Sequence, residues 1–412
     1  MRAILLLAFA SVAWAEGAFY LKDGDTVVFY GDSITDQRLY TTFAETYAIT
    51  RFPALKMTFV HSGWGGDRVS GGGGGPIDVR LARDVFNYKP TVMTIMLGMN
   101  DGGYQAFNDG IFDTYAAGYR HILDSVKANS PATRVTVIEP SPFDDVTRSP
   151  GFPGGYNGVL VRYGQFLKEL SAVRELTVAD LNTPVVDALK RANDTDSPVA
   201  QKIIPDRVHP GPPGHLLMAA ALLKAWNAPA VVSAVHIDAA KGTVLESENA
   251  KVANLDTVPT LHWTQTDAAL PLPIDMSDPV MSLAVHSSDV EQNLDWQPLK
   301  ITGLKLGRYG LKIDGTSVGS FTSDEFAAGV NLAMLPTPMA KQAADVHAFT
   351  LKHNNVHFAR WRSIQVPLEK EALTLKPPAM SALDALEQEI VTQQRALAQP
   401  KPHTFQLIRV VQ

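Results

Sequence analysis

Four short segments of the chain hold the residue types that acyl transfer requires. Gly31-Asp32-Ser33-Ile34-Thr35 sets a serine hydroxyl just after an apolar run, where a following helix lends positively polarised backbone amides. His61-Ser62-Gly63-Trp64-Gly65-Gly66-Asp67 contains glycines whose backbone N–H groups can approach a ligand closely. Gly98-Met99-Asn100-Asp101 carries an amide able to donate to a developing oxyanion. Asp206-Arg207-Val208-His209-Pro210 places a carboxylate three residues before a histidine, a spacing that lets it fix the imidazole tautomer and stabilise the imidazolium. Singly, each segment has a plainer use: a helix cap, a tight turn, an Asx turn, a surface ion pair. In combination they supply a nucleophile, oxyanion donors, a base and the group that orients it.

The elements around these segments explain how they can meet. Thr26–Tyr30, Met57–Val60, Thr91–Leu97, Arg134–Ile138 and Leu176–Ala179 read as short buried strands. Between them lie amphipathic stretches that read as helices: Arg38–Arg51, Ile77–Tyr88, Phe112–Ala128, Asn157–Leu170, Pro184–Ala192 and Gly214–Trp226. Continuous apolar strands alternating with helices predict a parallel sheet covered on both faces. Such a sheet binds ligands beyond the carboxyl ends of its strands, and the first three segments follow strands directly.

The four segments together resemble the sequence blocks of the SGNH hydrolases, the GDSL-type esterases and lipases, over residues ~20–228. The resemblance implies a three-layer α/β/α sandwich with a mostly parallel five-stranded sheet, the flavodoxin-like SGNH fold. It implies Ser33 as nucleophile, His209 as base and Asp206 as its orienter. The oxyanion hole would be the N–H of Ser33, the N–H of Gly66 and the side chain of Asn100, with Gly65 the neighbouring alternative to Gly66. Two positions depart from the family pattern: Ile34 follows the serine where the name implies leucine, and His61 stands where the second block often opens with asparagine. No cofactor or metal is implied, and no His-Glu-x-x-His segment is present.

Composition narrows the setting. The formal net charge is −6 and no long Lys/Arg run appears, so nothing favours nucleic acid as a partner. Cysteine is absent, which excludes thiolate nucleophiles, disulfides and Cys-zinc sites. Arg2, the apolar run Ala3–Ala13 and Ala13-Trp14-Ala15 have the order of a signal peptide over residues 1–15, predicting a secreted or periplasmic protein without a transmembrane segment. After residues 16–228, the pattern changes to a β-rich accessory region over 229–335 and a helical tail over 336–412. In the accessory region Leu299–Leu304, Arg308–Ile313 and Ser317–Phe321 are expected as successive antiparallel strands, with Asp314-Gly315 as a hairpin turn. Trp263 and Trp296 are candidates either for stacking on sugar rings or for a β-core. A last helix, Ser381–Ala398, is expected to bury Leu383, Leu386, Ile390 and Leu397 against the rest. Gly71–Gly75 is expected as a mobile loop at the rim of the site. The expected substrate is an ester, an acetyl group on a polysaccharide or glycoside; a lipid or small ester is the alternative, and an inactive glycan-binding relative the alternative of another class.

Overall fold

The structure, a computed structural model, describes residues 18–410. The leader expected over residues 1–15 lies outside them. The apolar segment Val27-Val28-Phe29-Tyr30 has no solvent exposure and forms the heart of β1 (Thr26–Gly31). Each such side chain contributes roughly 1.5–3 kcal/mol by burial, so the strand is fixed by its two apolar faces. Beside it lie β2 (Thr58–Gly63) and β3 (Val92–Met96), followed by β4 (Arg134–Ile138) and β5 (Thr177–Ala179). The order is β2-β1-β3-β4-β5, and every pair is parallel.

Helices cover both faces of this sheet. They are α1 (Ser33–Asp36), α2 (Leu39–Arg51), α3 (Ile77–Asp84), α4 (Asp109–Asn129), α5 (Gly155–Arg174), α6 (Thr183–Ala200) and α7 (Pro212–Ala225). The strand order reverses at β1, where β2 lies on one side and β3 on the other. The crevice at the carboxyl ends of β1 and β3 is therefore the place this architecture reserves for a ligand.

The second half contributes two further sheets. One has β6 (Ala234–Asp238), β7 (Thr243–Glu248), β10 (Pro298–Thr302) and β13 (Val330–Asn331), in the order β13-β10-β6-β7. The other has β8 (Ala250–Asp256), β9 (Leu261–Asp267), β11 (Arg308–Ile313), β12 (Thr316–Thr322) and β14 (Pro402–Arg409), in the order β8-β9-β14-β11-β12. The Asp314-Gly315 hairpin joins β11 to β12, and both residues take positive φ there. The expected Leu299–Leu304 strand is corrected in its pairing: β10 runs parallel to β6 and does not join β11. Trp263 is fully buried and stacked on Phe405 at 5.0 Å, so it is a core residue.

The tail forms α8 (Pro338–Phe358), a π-helical continuation over Ala359–Gln365, and α9 (Lys376–Leu397). It then closes with β14, the central strand of the five-stranded antiparallel sheet, which the sequence analysis did not foresee. Helix α8 packs on α2 of the parallel domain and on α9. The stripe expected on α9 needs correction. Leu386 is 45% exposed, while the face turned inward carries Glu387 and the buried Gln394 beside the partly buried Leu383, Ile390 and Leu397. This helix docks through polar groups as much as through leucines. Gly71–Gly75 is likewise corrected from a mobile loop to a small antiparallel hairpin pairing Gly71 with Pro76 and Gly72 with Gly75.

Candidate active site

Ser33 is the first residue of α1, directly after β1. Asp32 caps that helix, its Oδ1 accepting from the N–H of Ile34 at 3.0 Å. Only glycine fits at position 31: a Cβ there would lie 2.2 Å from Thr35 Oγ1 and 2.7 Å from the Met96 carbonyl. The chain is thereby turned tightly enough to aim the serine out of the sheet's edge.

The four segments converge on this point. His209 Nε2 lies 2.9 Å from Ser33 Oγ, and His209 Nδ1 lies 2.7 Å from Asp206 Oδ2. Asp206 Oδ1 also accepts from the N–H groups of Val208 and His209, at 2.9 and 2.7 Å. Burial acts to raise the Asp206 carboxyl, but these backbone N–H groups and the His209 ring outweigh it and hold the group below its ordinary value. An ionised Asp206 fixes the proton on Nδ1, which leaves Nε2 free to accept from the serine hydroxyl. Arg207 makes the turn possible by adopting a left-handed conformation, φ +74°, a strain of order 1–2 kcal/mol. Its guanidinium is tied down by the Asp144 carbonyl, Asp145 Oδ1 and the Ser149 carbonyl.

On the other side of Ser33 stand the expected oxyanion donors. The N–H of Gly65 is engaged with Asp36 Oδ2 at 3.1 Å. Gly66 is exposed and takes φ +78°, a conformation suited to glycine, and a Cβ there would meet nothing within 4 Å. Asn100 spends one amide hydrogen on the Asp67 carbonyl at 3.0 Å, leaving its second for a ligand. Tyr104 Oη donates to Asn100 Oδ1 at 3.1 Å and so fixes which way the amide faces. Beneath the loops, burial together with neighbouring carboxylates pushes Asp32 up to about 7, and burial pushes Asp101 up to about 6. A protonated Asp32 would keep negative charge away from a developing oxyanion.

Three contributors escaped the sequence analysis. Tyr104 is 44% exposed beside the site and sits in a left-handed turn, with nothing in its sequence neighbourhood to mark it. His215 on α7 is fully buried: its Nδ1 accepts from the N–H of Tyr40, and its Nε2 lies 3.0 Å from Gln37 Oε1. Burial, then the charge of His209, pushes it down to about 3, so it stays neutral and ties the end of α1 to the helix behind His209. Arg80 is a fully buried guanidinium paired with Asp67 and Asp84. By contrast, His61 faces away from the site, bonding Thr41 Oγ1 and Glu45 Oε2 at 2.7 and 3.0 Å. Ser317 is framed as Gly-x-Ser-x-Gly by Gly315 and Gly319, yet it lies within strand β12 and not at a strand-to-helix elbow.

Residues 29–217 match the model of the GDSL-like Lipase/Acylhydrolase family. This part of the chain is a GDSL-type acylhydrolase domain. Its family is one of carboxylic ester hydrolases. Among solved structures, a gut microbial diltiazem-metabolizing enzyme is similar over 96% of this chain and 100% of its own, at 23% identity and a TM-score of 0.82. The shared fold therefore extends through the β-rich sheets and the tail. Axe2, an acetylxylan esterase from Geobacillus stearothermophilus, is 23% identical over 50% of this chain and 96% of its own, with a TM-score of 0.41. No curated protein sequence matches the chain. Among the described residues no helix is long and apolar enough to cross a membrane, and no cluster of metal-binding side chains occurs.

Proposed function

We propose that the GDSL-type domain hydrolyses carboxylic esters through an acyl-serine at Ser33. The hydrogen-bonded chain Ser33–His209–Asp206 carries this reading. His209 Nε2 takes the hydroxyl proton as Ser33 Oγ attacks the ester carbonyl carbon, and the carbonyl oxygen becomes an oxyanion. The N–H groups of Ser33 and Gly66 and the Asn100 amide stabilise that charge. The tetrahedral intermediate collapses, the C–O bond to the alcohol breaks, and His209 delivers its proton to the departing oxygen. Water then adds to the acyl-serine with His209 again as base, releasing the carboxylic acid and restoring Ser33. Asp206 stays ionised throughout and stabilises the imidazolium.

For the substrate, we favour an O-acetyl group on a polysaccharide or glycoside. Polar groups flank the serine: the exposed Asp206 through His209, and the 44% exposed Tyr104, whose hydroxyl donates to Asn100. A polar rim with one aromatic face suits a sugar alcohol better than a long acyl chain, which would need an apolar trough. The leader over residues 1–15 supports export, where such polymers occur. Hydrolysis of a nitrophenyl ester series from acetyl to decanoyl, beside acetyl release from xylan and pectin, tests this. A preference for acetyl with release from polymer is expected; a preference for decanoyl would move the function to lipid or simple esters. The inactive glycan-binding alternative loses support from the burial of Trp263.

A further inference from the structure

The loop Gly63-Trp64-Gly65-Gly66-Asp67 has three glycines among five residues, and its backbone is held by the Trp64 N–H on the Gly31 carbonyl at 3.0 Å and a turn bond from the Asp67 N–H to the Trp64 carbonyl at 3.1 Å. An oxyanion donor must nevertheless be held to within about 0.5 Å. Further restraints come from outside the loop, and one comes from 295 residues or more away in sequence.

Arg362 lies in the π-helical segment Ala359–Gln365 that continues α8. Its guanidinium carbon sits 3.4 Å from the centroid of the Trp64 ring. Nη1 lies 3.3 and 3.4 Å from the two carboxylate oxygens of Asp36 and donates to the Gly63 carbonyl at 3.4 Å. Asp36 in turn accepts the N–H of Gly65. One side chain thus touches the loop's first carbonyl, its aromatic ring and the carboxylate that pins its third residue. The neighbouring Trp361 is fully buried; its indole N–H donates to Asp84 Oδ1 at 2.7 Å, and its ring meets Trp64 edge-on at 5.5 Å. Asp84 pairs with Arg80, whose Nε donates to Asp67 Oδ2 at 2.8 Å. Both ends of the glycine loop are therefore braced by the tail.

We propose that Arg362 is a positioning residue of the oxyanion hole, holding the Gly65–Gly66 peptide in place through Trp64 and Asp36 and neutralising the Asp36 carboxylate beside the developing negative charge. This rests on the assignment of Ser33 as nucleophile and Gly66 as donor. It gives the second half of the chain a part in the reaction: the parallel domain alone would carry the catalytic side chains but lack the restraint on one donor.

The test uses the whole protein with nitrophenyl acetate. Arg362→Ala should lower kcat by about 10- to 100-fold, the scale of a donor misplaced by about 1 Å, with KM changed less than about threefold. Millimolar guanidinium should restore part of the lost kcat by occupying the vacated place over Trp64, and should do nothing for the wild type or for Asn100→Ala. Arg362→Lys, which keeps the charge but not the flat stacked fork, should recover only part of the loss. Arg360→Ala removes a neighbouring arginine that pairs with the exposed Asp384, and should behave as the wild type. Should Arg362→Ala fold poorly, Arg362→Lys with and without guanidinium carries the same comparison. A kcat within twofold of wild type in Arg362→Ala, or a loss that tracks a lower melting temperature and is untouched by guanidinium, overturns the proposal. Either result beside an inert Ser33→Ala would remove Arg362 alone, whereas an active Ser33→Ala would remove the underlying assignment.

Discussion

Replacing His353 by alanine should loosen the tail from the catalytic domain without touching any group at Ser33. Glu45 on α2 is a carboxylate with 1% exposure, and His353 Nε2 on α8 stands 2.5 Å from it. The same carboxylate bonds His61 Nε2 at 3.0 Å and Gln394 Nε2 of α9 at 3.2 Å. On its other side His353 Nδ1 lies 3.4 Å from Glu387 Oε1. Burial opposes both charges. The pairing overcomes it, holding Glu45 down at about 2 and His353 up at about 10. Removing one member of a buried ion pair costs about 3–5 kcal/mol, because the other is left buried without its partner. At about 2–4 °C per kcal/mol for a protein domain of this size, melting should fall by roughly 6–20 °C. The pH dependence follows from the same two shifts. Glu45 has a depressed value, so its contribution is present above the ordinary ~4.5 and is lost as pH falls through about 2. His353 has a raised value, so its contribution is full below ~6.5 and is lost as pH rises through about 10. Thermal unfolding followed by circular dichroism at pH 6 and pH 10.5 reads the His353 limb: a large gap between wild type and His353→Ala at pH 6, and a smaller one at pH 10.5. A variant melting within 2 °C of wild type at pH 6 would refute the ion pair as a fastening of the tail.

Other outcomes follow from the same geometry. Asn100→Ala should lower kcat about 10²–10³-fold with a smaller change in KM, as for the loss of one oxyanion donor; a change confined to KM would make Asn100 a binding or turn residue. Asp206→Asn removes the negative charge that stabilises the imidazolium and leaves the ring tautomer unfixed. The variant's kcat should fall by about 10⁴-fold, and a kcat near the wild-type value would contradict an orienting role for the 2.7 Å contact. Truncation after Pro378 deletes all but the first three residues of α9 and also β14, the strand between β9 and β11. Loss of soluble protein is expected, and a soluble truncated form that melts as the wild type would show the tail to be dispensable.

The parallel sheet was legible because its strands are apolar on both faces and short, and Arg134–Ile138 falls on the observed strand residue for residue. Three of the four segments were legible because they sit immediately after strands, where sequence position translates into spatial position, while Asp206 and His209 lie between two helices and were marked by their spacing. What failed depended on contacts far apart in sequence. Strand β14 follows a Pro-bounded helix and alternates between buried His403, Phe405 and Leu407 and outward-facing residues, but nothing local names its partners, so its place at the centre of a sheet came from pairing with β9 and β11. The inward face of α9 could not be found from apolar periodicity, since Glu387 is turned inward and Gln394 buried by bonding to His353 and Glu45. His215, Tyr104 and Arg362 act through hydrogen bonds or ring contacts to residues that no local pattern links to them.

The central claim is that Ser33 is the nucleophile of an acyl-transfer site. Intact-protein mass spectrometry after treatment with a fluorophosphonate, followed by peptide mapping, tests it most directly. A single adduct on Ser33 is predicted in the wild type, none in Ser33→Ala, and slower labelling in Asn100→Ala, with Ser33→Ala inert toward nitrophenyl acetate at an almost unchanged melting temperature. An adduct on another residue, or turnover by Ser33→Ala near the wild-type rate, would contradict it.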